Sequence, residues 1–216
     1  HIALYDIDAS QVQAIAVTSM ADAGLPVDAA GLPLGPIIPW QKTNGDRYKQ
    51  ELLDSIDPYE LYRRTGLIYH PKYPAMHLLA LKHESAETFS QMKAWLSVSD
   101  WVIQQLCGRM VMDESQACRT MLYDIGNHRW DDQLIAATGL TGKLPPVVGM
   151  GTTVGTLRPD MAARFGLNQA VRIMTGGHDH LCAAIAVGAD QSGQIVNSMG
   201  TAEVYIGMID QLIECR

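Results

Sequence analysis

One aspartate of this sequence lies between a pair of glycines and an alanine-rich segment, where a carboxylate can do chemistry. An apolar run at 171–175 meets Gly176 and Gly177, and Asp179 opens the alanine-rich segment that follows. Strand-type residues, glycines and a helical pattern in this order predict that Asp179 lies where a strand passes into a helix. Ligands of open α/β sheets bind at the carboxyl ends of the strands. A carboxylate in that position is a candidate general base or metal ligand.

Two other roles for this stretch are open. An aspartate in a first helical turn satisfies free backbone N–H groups whether or not it takes part in chemistry, so Asp179 could be an N-cap. His178 and His180 flank it and suggest a metal site, but no further Cys or His cluster at ligand spacing accompanies the pair. The sequence therefore predicts no metal coordination by these histidines.

A second candidate site is the dipeptide Gly200-Thr201. Strand-like runs at 194–199 and 202–209 flank it, which predicts a hairpin. The tip of such a hairpin can offer backbone N–H groups and a hydroxyl to a phosphate. Gly-Thr turns are common, so this pattern alone has little specificity.

Two loops add an acid, an aromatic ring and an amide. Asp22 lies at the open end of the strand predicted at 13–19, and the extended run at 35–40 delivers Trp40 and Gln41 to a loop. A tryptophan can stack its apolar face on a sugar ring while polar neighbours hydrogen-bond to the ring edges. A core tryptophan at a strand end is the alternative.

The loops that carry these residues must be positioned by helices. Capping residues indicate where each helix begins and ends. Helical patterns are found at 58–65, 75–83, 99–108, 130–138 and 159–165. Arg119 lies between Asp113 and Asp124, and a structural ion pair with one of these two acids is its expected role.

Composition narrows the class of partner. The chain has 216 residues, 47% of them hydrophobic, and a net charge of −7 without any basic block, which argues against a nucleic acid or an anionic membrane surface and favours a small molecule. The four cysteines form no C-x-x-C pair, which predicts a reducing cytoplasm. No apolar run approaches the length of a membrane-spanning helix.

Both ends of the chain have the character of interior sequence. It begins at His1 without methionine, enters a strand soon afterwards, and stops soon after another strand. We therefore expect both ends to be cuts within a larger protein.

Together, the Asp179 stretch and the segment at 197–203 resemble the FGGY carbohydrate kinases, which are ATP-dependent sugar and polyol kinases. Segments at 19–31, 113–120 and 144–147 agree with that family, so the resemblance covers essentially the whole chain. It implies an α/β domain of the ribonuclease-H-like, actin-like ATPase superfamily, with a mixed sheet flanked by helices. The activity it implies is xylulokinase-like phosphorylation of a sugar or polyol.

The resemblance also implies roles for individual residues. Asp179 matches the catalytic aspartate, which takes the proton from the sugar hydroxyl as that oxygen attacks the γ-phosphoryl group. Gly200 and Thr201 match a hairpin that cradles the phosphates of ATP, which acts with Mg²⁺. No protein ligand of the metal is expected.

On the sugar side, Asp22, Trp40 and Gln41 fall where family members contact sugar hydroxyls, together with the catalytic aspartate. The sequence departs from the family in this loop. The family usually has W-x-D-x-R, whereas Lys42 and Asn44 occupy the acidic and basic positions here.

By this resemblance, residues 1–193 form the sugar-binding domain without its opening phosphate hairpin, and residues 194–216 begin the nucleotide-binding domain. We expect the larger protein to be a cytoplasmic carbohydrate kinase, and a homodimer is compatible with this. The isolated chain is expected to be weakly active or inactive. A truncated, non-catalytic carbohydrate-binding or regulatory module is the alternative, and the segments at 19–31 and 113–120 argue against another ATPase of the superfamily.

Overall fold

Short strands alternate with capped helices over the residues described in the computed structural model, which are 8–200, 203–211 and 213. The strands are β1 (Ala14–Ser19), β2 (Gly24–Val27), β3 (Ala94–Ser97), β4 (Met112–Asp113), β5 (Tyr123–Asp124), β6 (Arg129–Trp130), β7 (Val147–Val148), β8 (Thr153–Thr156), β9 (Arg172–His178), β10 (Ile195–Met199) and β11 (Glu203–Gly207). The helices are α1 (Lys49–Leu53), α2 (Pro58–Thr65), α3 (Pro74–Glu84), α4 (Ala86–Gln91), α5 (Val98–Cys107), α6 (Glu114–Ala117), α7 (Asp132–Thr138), α8 (Pro159–Phe165) and α9 (Asp179–Ala186).

A mixed sheet in the order β1-β9-β8 forms the centre of the fold. β1 and β9 run parallel, and β8 runs antiparallel to β9. The register of β1 against β9 shifts between Val17 and Thr18, and Gly176 is the extra residue. A Cβ atom on Gly176 would lie 2.4 Å from the carbonyl oxygen of Val17, so the bulge requires glycine. Helices α5 and α9 pack on this sheet, which confirms the predicted mixed sheet flanked by helices.

Capping residues place the helix ends where the sequence predicted them in most cases. The Asp57 carboxylate accepts hydrogen bonds from N–H groups in the first turn of α2, and Gly66 ends this helix in the left-handed conformation. The helices predicted at 75–83, 99–108 and 159–165 are present as α3, α5 and α8.

The helix predicted at 130–138 begins later than expected, at Asp132. Asp131 is its N-cap, because the Asp131 carboxylate accepts hydrogen bonds from the first turn of α7. Trp130 instead belongs to β6, where it pairs with Tyr123 of β5.

Three clusters of buried apolar side chains hold these elements together. The largest joins α2, α3 and α7 through residues such as Leu61, Leu78 and Leu134. A second packs α5 and α8 against the central sheet, with Ile103 and Ile173 at its centre. The third lies between β2 and β3. Full burial of one such side chain contributes about 1.5–3 kcal/mol to the stability of the fold. Because the second cluster includes Ile173 of β9, it holds this strand in place.

Among the described residues, no helix has both the length and the apolar character needed to cross a bilayer. Cys107, Cys118 and Cys182 are free thiols. Cys215 lies outside the described residues.

Two carboxyl groups, those of Asp100 and Asp113, are buried close together beside α6. Asp100 accepts a hydrogen bond from the Ser97 hydroxyl at 2.5 Å and one from the Asp113 backbone N–H at 3.1 Å. In the part of the chain described, no cation pairs with either carboxyl group. Burial raises the pKa of Asp100 to about 7, and it also raises the pKa of Asp113. Between pH 3.8 and about 7, the folded protein therefore retains on Asp100 a proton that the unfolded chain releases.

Because of this proton, we expect Asp100→Asn to become more stable relative to the wild type as the pH rises from about 4 to 7. A carboxyl group whose pKa is raised in the folded state destabilises the fold as it ionises, and asparagine does not ionise. The difference between 3.8 and about 7 limits the change to about 4 kcal/mol. Urea unfolding of both proteins at pH 5 and pH 8 measures the part of this change that falls above pH 5, which is about 3 kcal/mol at most.

The matched control is Asp132→Asn, since the Asp132 side chain is 86% exposed. This variant should differ from the wild type by the same amount at both pH values. If the free-energy difference between Asp100→Asn and the wild type is also the same at both pH values, the Asp100 carboxyl group does not have the raised pKa described here.

Candidate active site

The carboxyl ends of β1 and β9 bring the two candidate acids to one edge of the sheet. The strands are parallel, and Ser19 at the end of β1 pairs with His178 at the end of β9. The Thr18 hydroxyl donates a hydrogen bond to the Gly177 carbonyl at 2.7 Å, which ties the two ends together. Asp22 follows β1 and Asp179 follows β9, so both acids emerge at the edge where ligands of such sheets bind.

Asp179 is the first residue of α9, at the predicted junction of strand and helix. The N-cap is His178, so Asp179 is not the capping residue itself, although its Oδ1 accepts the His180 N–H at 2.8 Å. Within the described part of the chain, no hydrogen bond reaches Oδ2 of Asp179. The Asp179 side chain is 45% exposed, which leaves this oxygen free to accept a proton from a ligand.

His178 connects Asp179 to the body of the domain. Its Nε2 lies 3.3 Å from Asp179 Oδ1. Its backbone N–H donates to the Ser115 hydroxyl at 2.8 Å, and that hydroxyl in turn donates to the Asp113 carboxylate. Burial lowers the pKa of His178, an effect that the charge of Asp179 partly opposes. His178 is therefore a neutral ring at pH 7, held against the candidate base.

Asp22 is the centre of an ion-pair network, and this corrects one expectation from the sequence. Arg119 pairs with Asp22 and with neither Asp113 nor Asp124: its Nε and Nη2 donate to the two Asp22 oxygens at 3.1 and 3.0 Å. Lys72 Nζ lies 3.4 Å from Asp22 Oδ2. Burial disfavours the charged guanidinium, but Asp22 outweighs this effect and the pKa of Arg119 is raised.

The Asp22 network lies next to the Asp179 junction. The charges of Arg119 and Asp22 both act on the pKa of His178, which contacts Asp179. Arg119 also covers the ring of Tyr73, with the guanidinium carbon 5.0 Å from the ring centroid. Asp22 has a left-handed backbone with φ of 65°, an unusual conformation that aspartate tolerates better than most residues. The structure thus places Asp22 and Asp179 at the same edge of the central sheet, on either side of His178 in electrostatic terms.

Trp40 and Gln41 lie at the same end of the molecule as Asp22. Gly24 and Ile38 exchange backbone hydrogen bonds at 3.2 and 2.7 Å in an antiparallel bridge. Asp22 lies two residues before Gly24, and Trp40 lies two residues after Ile38. Because the bridge is antiparallel, both residues leave the paired segment at the same end. Residue Trp40 is 42% exposed, which excludes the alternative of a core tryptophan, and Gln41 is exposed as well.

A small cavity of about 50 Å³ lies beside the Trp40 loop, and Lys42, Asn44 and His77 are among its lining residues. His77 is buried, and Asp22 and Lys72 lie close enough to act on the pKa of its ring. Burial lowers the pKa of His77 to about 4, so the ring is neutral. His77 was not predicted from the sequence, where its one indication is a histidine on a helix face that is otherwise apolar.

A larger cavity, of about 580 Å³, lies elsewhere on the domain. It is lined by arginines, aspartates and amides that include Arg64, Asp124 and Asp131. None of the candidate site residues lines it.

The predicted hairpin is present as β10 and β11, which pair antiparallel from Ile195 opposite Gly207 to Met199 opposite Glu203. Gly200 lies at its exposed tip. Thr201 lies outside the described residues. Asn197 donates a hydrogen bond to Glu203 across the hairpin at 2.9 Å.

The mixed sheet, with acids after two neighbouring parallel strands, defines an α/β domain of the actin-like ATPase fold. The sequence model described as the FGGY family of carbohydrate kinases, N-terminal domain, matches residues 1–186, and the chain belongs to this family. The family expected from the sequence is thereby confirmed.

Known proteins similar to this chain include several sugar kinases. An L-fuculokinase from Haemophilus influenzae is 29% identical over 93% of this chain and 42% of its own length. A xylulose kinase from Klebsiella pneumoniae is 30% identical over 81% of this chain and 36% of its own length. A solved xyloylose kinase from Brucella ovis superposes with a TM-score of 0.85 at 27% identity, over 94% of this chain and 42% of that chain. This chain thus spans about two fifths of the length of these relatives.

Proposed function

We propose that the protein phosphorylates a hydroxyl group of a sugar or polyol with ATP as the phosphoryl donor. The observation that carries this proposal is the Asp179 carboxylate, with one oxygen free, at the carboxyl edge of the central sheet and beside the Asp22 network. Family membership and the named activities of the relatives support it. No finding favours the non-catalytic alternative.

Asp179 acts as the general base. The hydroxyl oxygen that attacks the γ-phosphoryl group must lose its proton, and Asp179 Oδ2 is free to receive it. The His180 N–H donates to Oδ1, and the neutral His178 ring lies against the same oxygen, so Oδ2 is the oxygen left free for the substrate hydroxyl. Alignment of the hydroxyl is the larger part of catalysis in phosphoryl transfer, and these contacts restrict the base to one direction.

The sugar binds between Asp22, Trp40 and Gln41 on one side and Asp179 on the other. Both Asp22 oxygens already accept hydrogen bonds from Arg119. The guanidinium of Arg119 and the ammonium of Lys72 are partly exposed, so they add donors for sugar oxygens to this surface. Trp40 supplies a face for the ring or carbon chain of the substrate.

ATP binds at the tip of the hairpin, where Gly200 lies; Thr201, which the family resemblance assigns to the same phosphate site, is outside the described residues. The exposed glycine of this tip lets backbone N–H groups approach phosphate oxygens without steric hindrance, so the described part of the site fits a phosphate. Mg²⁺ would accompany the phosphates of ATP and would supply charge neutralisation there.

The chain is divided near residue 193 into a sugar-binding domain, 1–193, and the start of a nucleotide-binding domain, 194–216. The end of the family match at residue 186 supports this division. The free thiols of Cys107, Cys118 and Cys182 support a cytoplasmic location. A homodimer stays a prediction.

A substrate panel tests the proposal. ADP release by the complete protein is measured in the presence of L-fuculose, D-xylulose, D-gluconate or glycerol. A control reaction contains none of these compounds. Calorimetry on the 216-residue chain measures binding of the same compounds. We expect sugar-dependent ADP release for at least one compound, and binding of that compound to the chain alone. Binding without any ADP release by the complete protein would instead support the non-catalytic alternative.

A further inference from the structure

Three metal-binding side chains converge at the start of α9. One donor atom from each of His178, Asp179 and His180 lies within 4.8 Å of the other two. The two imidazole rings meet edge to face, with centroids 5.3 Å apart. From this convergence we propose that His178, Asp179 and His180 form a binding site for a transition-metal ion such as Zn²⁺.

The separation of two of these donors suits tetrahedral coordination. Zinc bonds of about 2.0–2.1 Å to histidine nitrogen or carboxylate oxygen place two ligand atoms of a tetrahedron about 3.4 Å apart. His178 Nε2 and Asp179 Oδ1 are 3.3 Å apart. His180 lies in the first turn of α9, and one of its donor atoms is within 4.8 Å of the donor atoms of the other two residues. Two ligands are thus in position before the ion arrives.

The donor set selects the metal. Two imidazoles and one carboxylate favour zinc, cobalt or nickel, whereas Mg²⁺ prefers oxygen ligands and keeps its waters. His178 Nε2 lies beside Asp179 Oδ1, and an imidazole ring binds a metal ion through the lone pair of one of its two nitrogens. The hydrogen bond from its backbone to Ser115 holds this first ligand in place. Three protein ligands leave the fourth position to water.

Occupation of this site engages the carboxylate of Asp179. The metal-binding site itself does not depend on what Asp179 does in catalysis. The effect of the metal on activity does depend on it. If Asp179 is the general base of the proposed function, the bound ion occupies its carboxylate and inhibits phosphorylation reversibly.

Zn²⁺ titrated into the 216-residue chain by calorimetry, without sugar or ATP, tests the proposal. We expect one Zn²⁺ per chain, no binding of Mg²⁺, and a loss of Zn²⁺ affinity of at least about 100-fold in His180→Asn. Co²⁺ serves as a second probe. Its complex should show the visible absorption of tetrahedral coordination, without the near-ultraviolet band that a cysteine thiolate ligand produces.

The matched control is His128→Asn. His128 Nδ1 lies 2.6 Å from Glu114 Oε1, so it is another histidine in contact with a carboxylate, and it is not part of the three-ligand cluster. Zn²⁺ affinity should not change in this variant. Because His178→Asn could loosen the fold, the role of His178 is read from the shift of histidine ring resonances when Zn²⁺ is added to the wild type.

Three results would overturn the metal site: no saturable binding of Zn²⁺, equal affinity in His180→Asn and the wild type, or a thiolate band with Co²⁺. A separate assay follows phosphorylation by the complete protein with added Zn²⁺ and then with EDTA. Zn²⁺ binding without inhibition would leave the metal site standing and count against Asp179 as the base.

Discussion

Asp179→Asn should abolish most phosphorylation by the complete protein and leave sugar binding nearly intact. Asparagine has the same shape and its side-chain oxygen still accepts the His180 N–H, so the start of α9 is preserved. It cannot take a proton from the substrate hydroxyl. Loss of a general base lowers the rate by about 10²–10⁴-fold, and we expect kcat to fall in this range.

The measurement pairs ADP release with calorimetric binding of the sugar in the same preparation. Asp160→Asn is the control, since Asp160 also lies in a first helical turn, that of α8, away from the central sheet edge. Its kcat should equal that of the wild type. Turnover by Asp179→Asn within about threefold of the wild type would remove Asp179 from the chemical step.

The position of Asp179 was predictable because the features that determine it are local. Gly176 is required where β9 approaches the backbone of β1, and the small residues after Asp179 form the helix that starts there. A sequence displays such features within about ten residues. The same holds for α2, α5 and α8, whose caps and breakers are adjacent to the helices they bound.

The partner of Arg119 was not predictable in this way. The nearby acids are both used by their own backbone: Asp113 accepts the Ser115 N–H to cap α6, and Asp124 accepts the N–H groups of a turn that includes Gly126. The true partner, Asp22, is 97 residues away. Sequence proximity favoured the local acids, whereas the folded chain leaves Asp22 as the acid that Arg119 can reach.

His77 and Lys72 escaped prediction for a related reason. Each is ordinary in its local context, one in a largely buried helix and the other in a loop rich in proline. Their interest comes from what the fold places beside them, a small cavity in one case and Asp22 in the other. The class of site was therefore predictable from the sequence, while the charged residues that surround Asp22 were not.

Asp22→Asn should weaken both sugar binding and the fold. The Asp22 side chain is 8% exposed and that of Arg119 is 28% exposed, so the variant leaves a largely covered guanidinium without its counter-ion. Breaking a fully buried pair costs about 3–5 kcal/mol, and the partial exposure of Arg119 reduces this to about 2 kcal/mol. Asparagine tolerates the left-handed backbone at this position, so strain does not add to the loss.

In a domain of this size, that loss lowers the melting temperature by about 4–8 °C, which calorimetry of the chain can measure. Asp160→Asn is again the matched control, because Arg158 contacts both oxygens of Asp160 at 3.1 Å in an exposed pair. Exposed pairs contribute about 0–1 kcal/mol, so this variant should melt close to the wild type. Equal melting temperatures for Asp22→Asn and Asp160→Asn would show that water solvates the Arg119 guanidinium as well as Asp22 does. In that event, the Asp22 network would contribute to sugar binding without stabilising the domain.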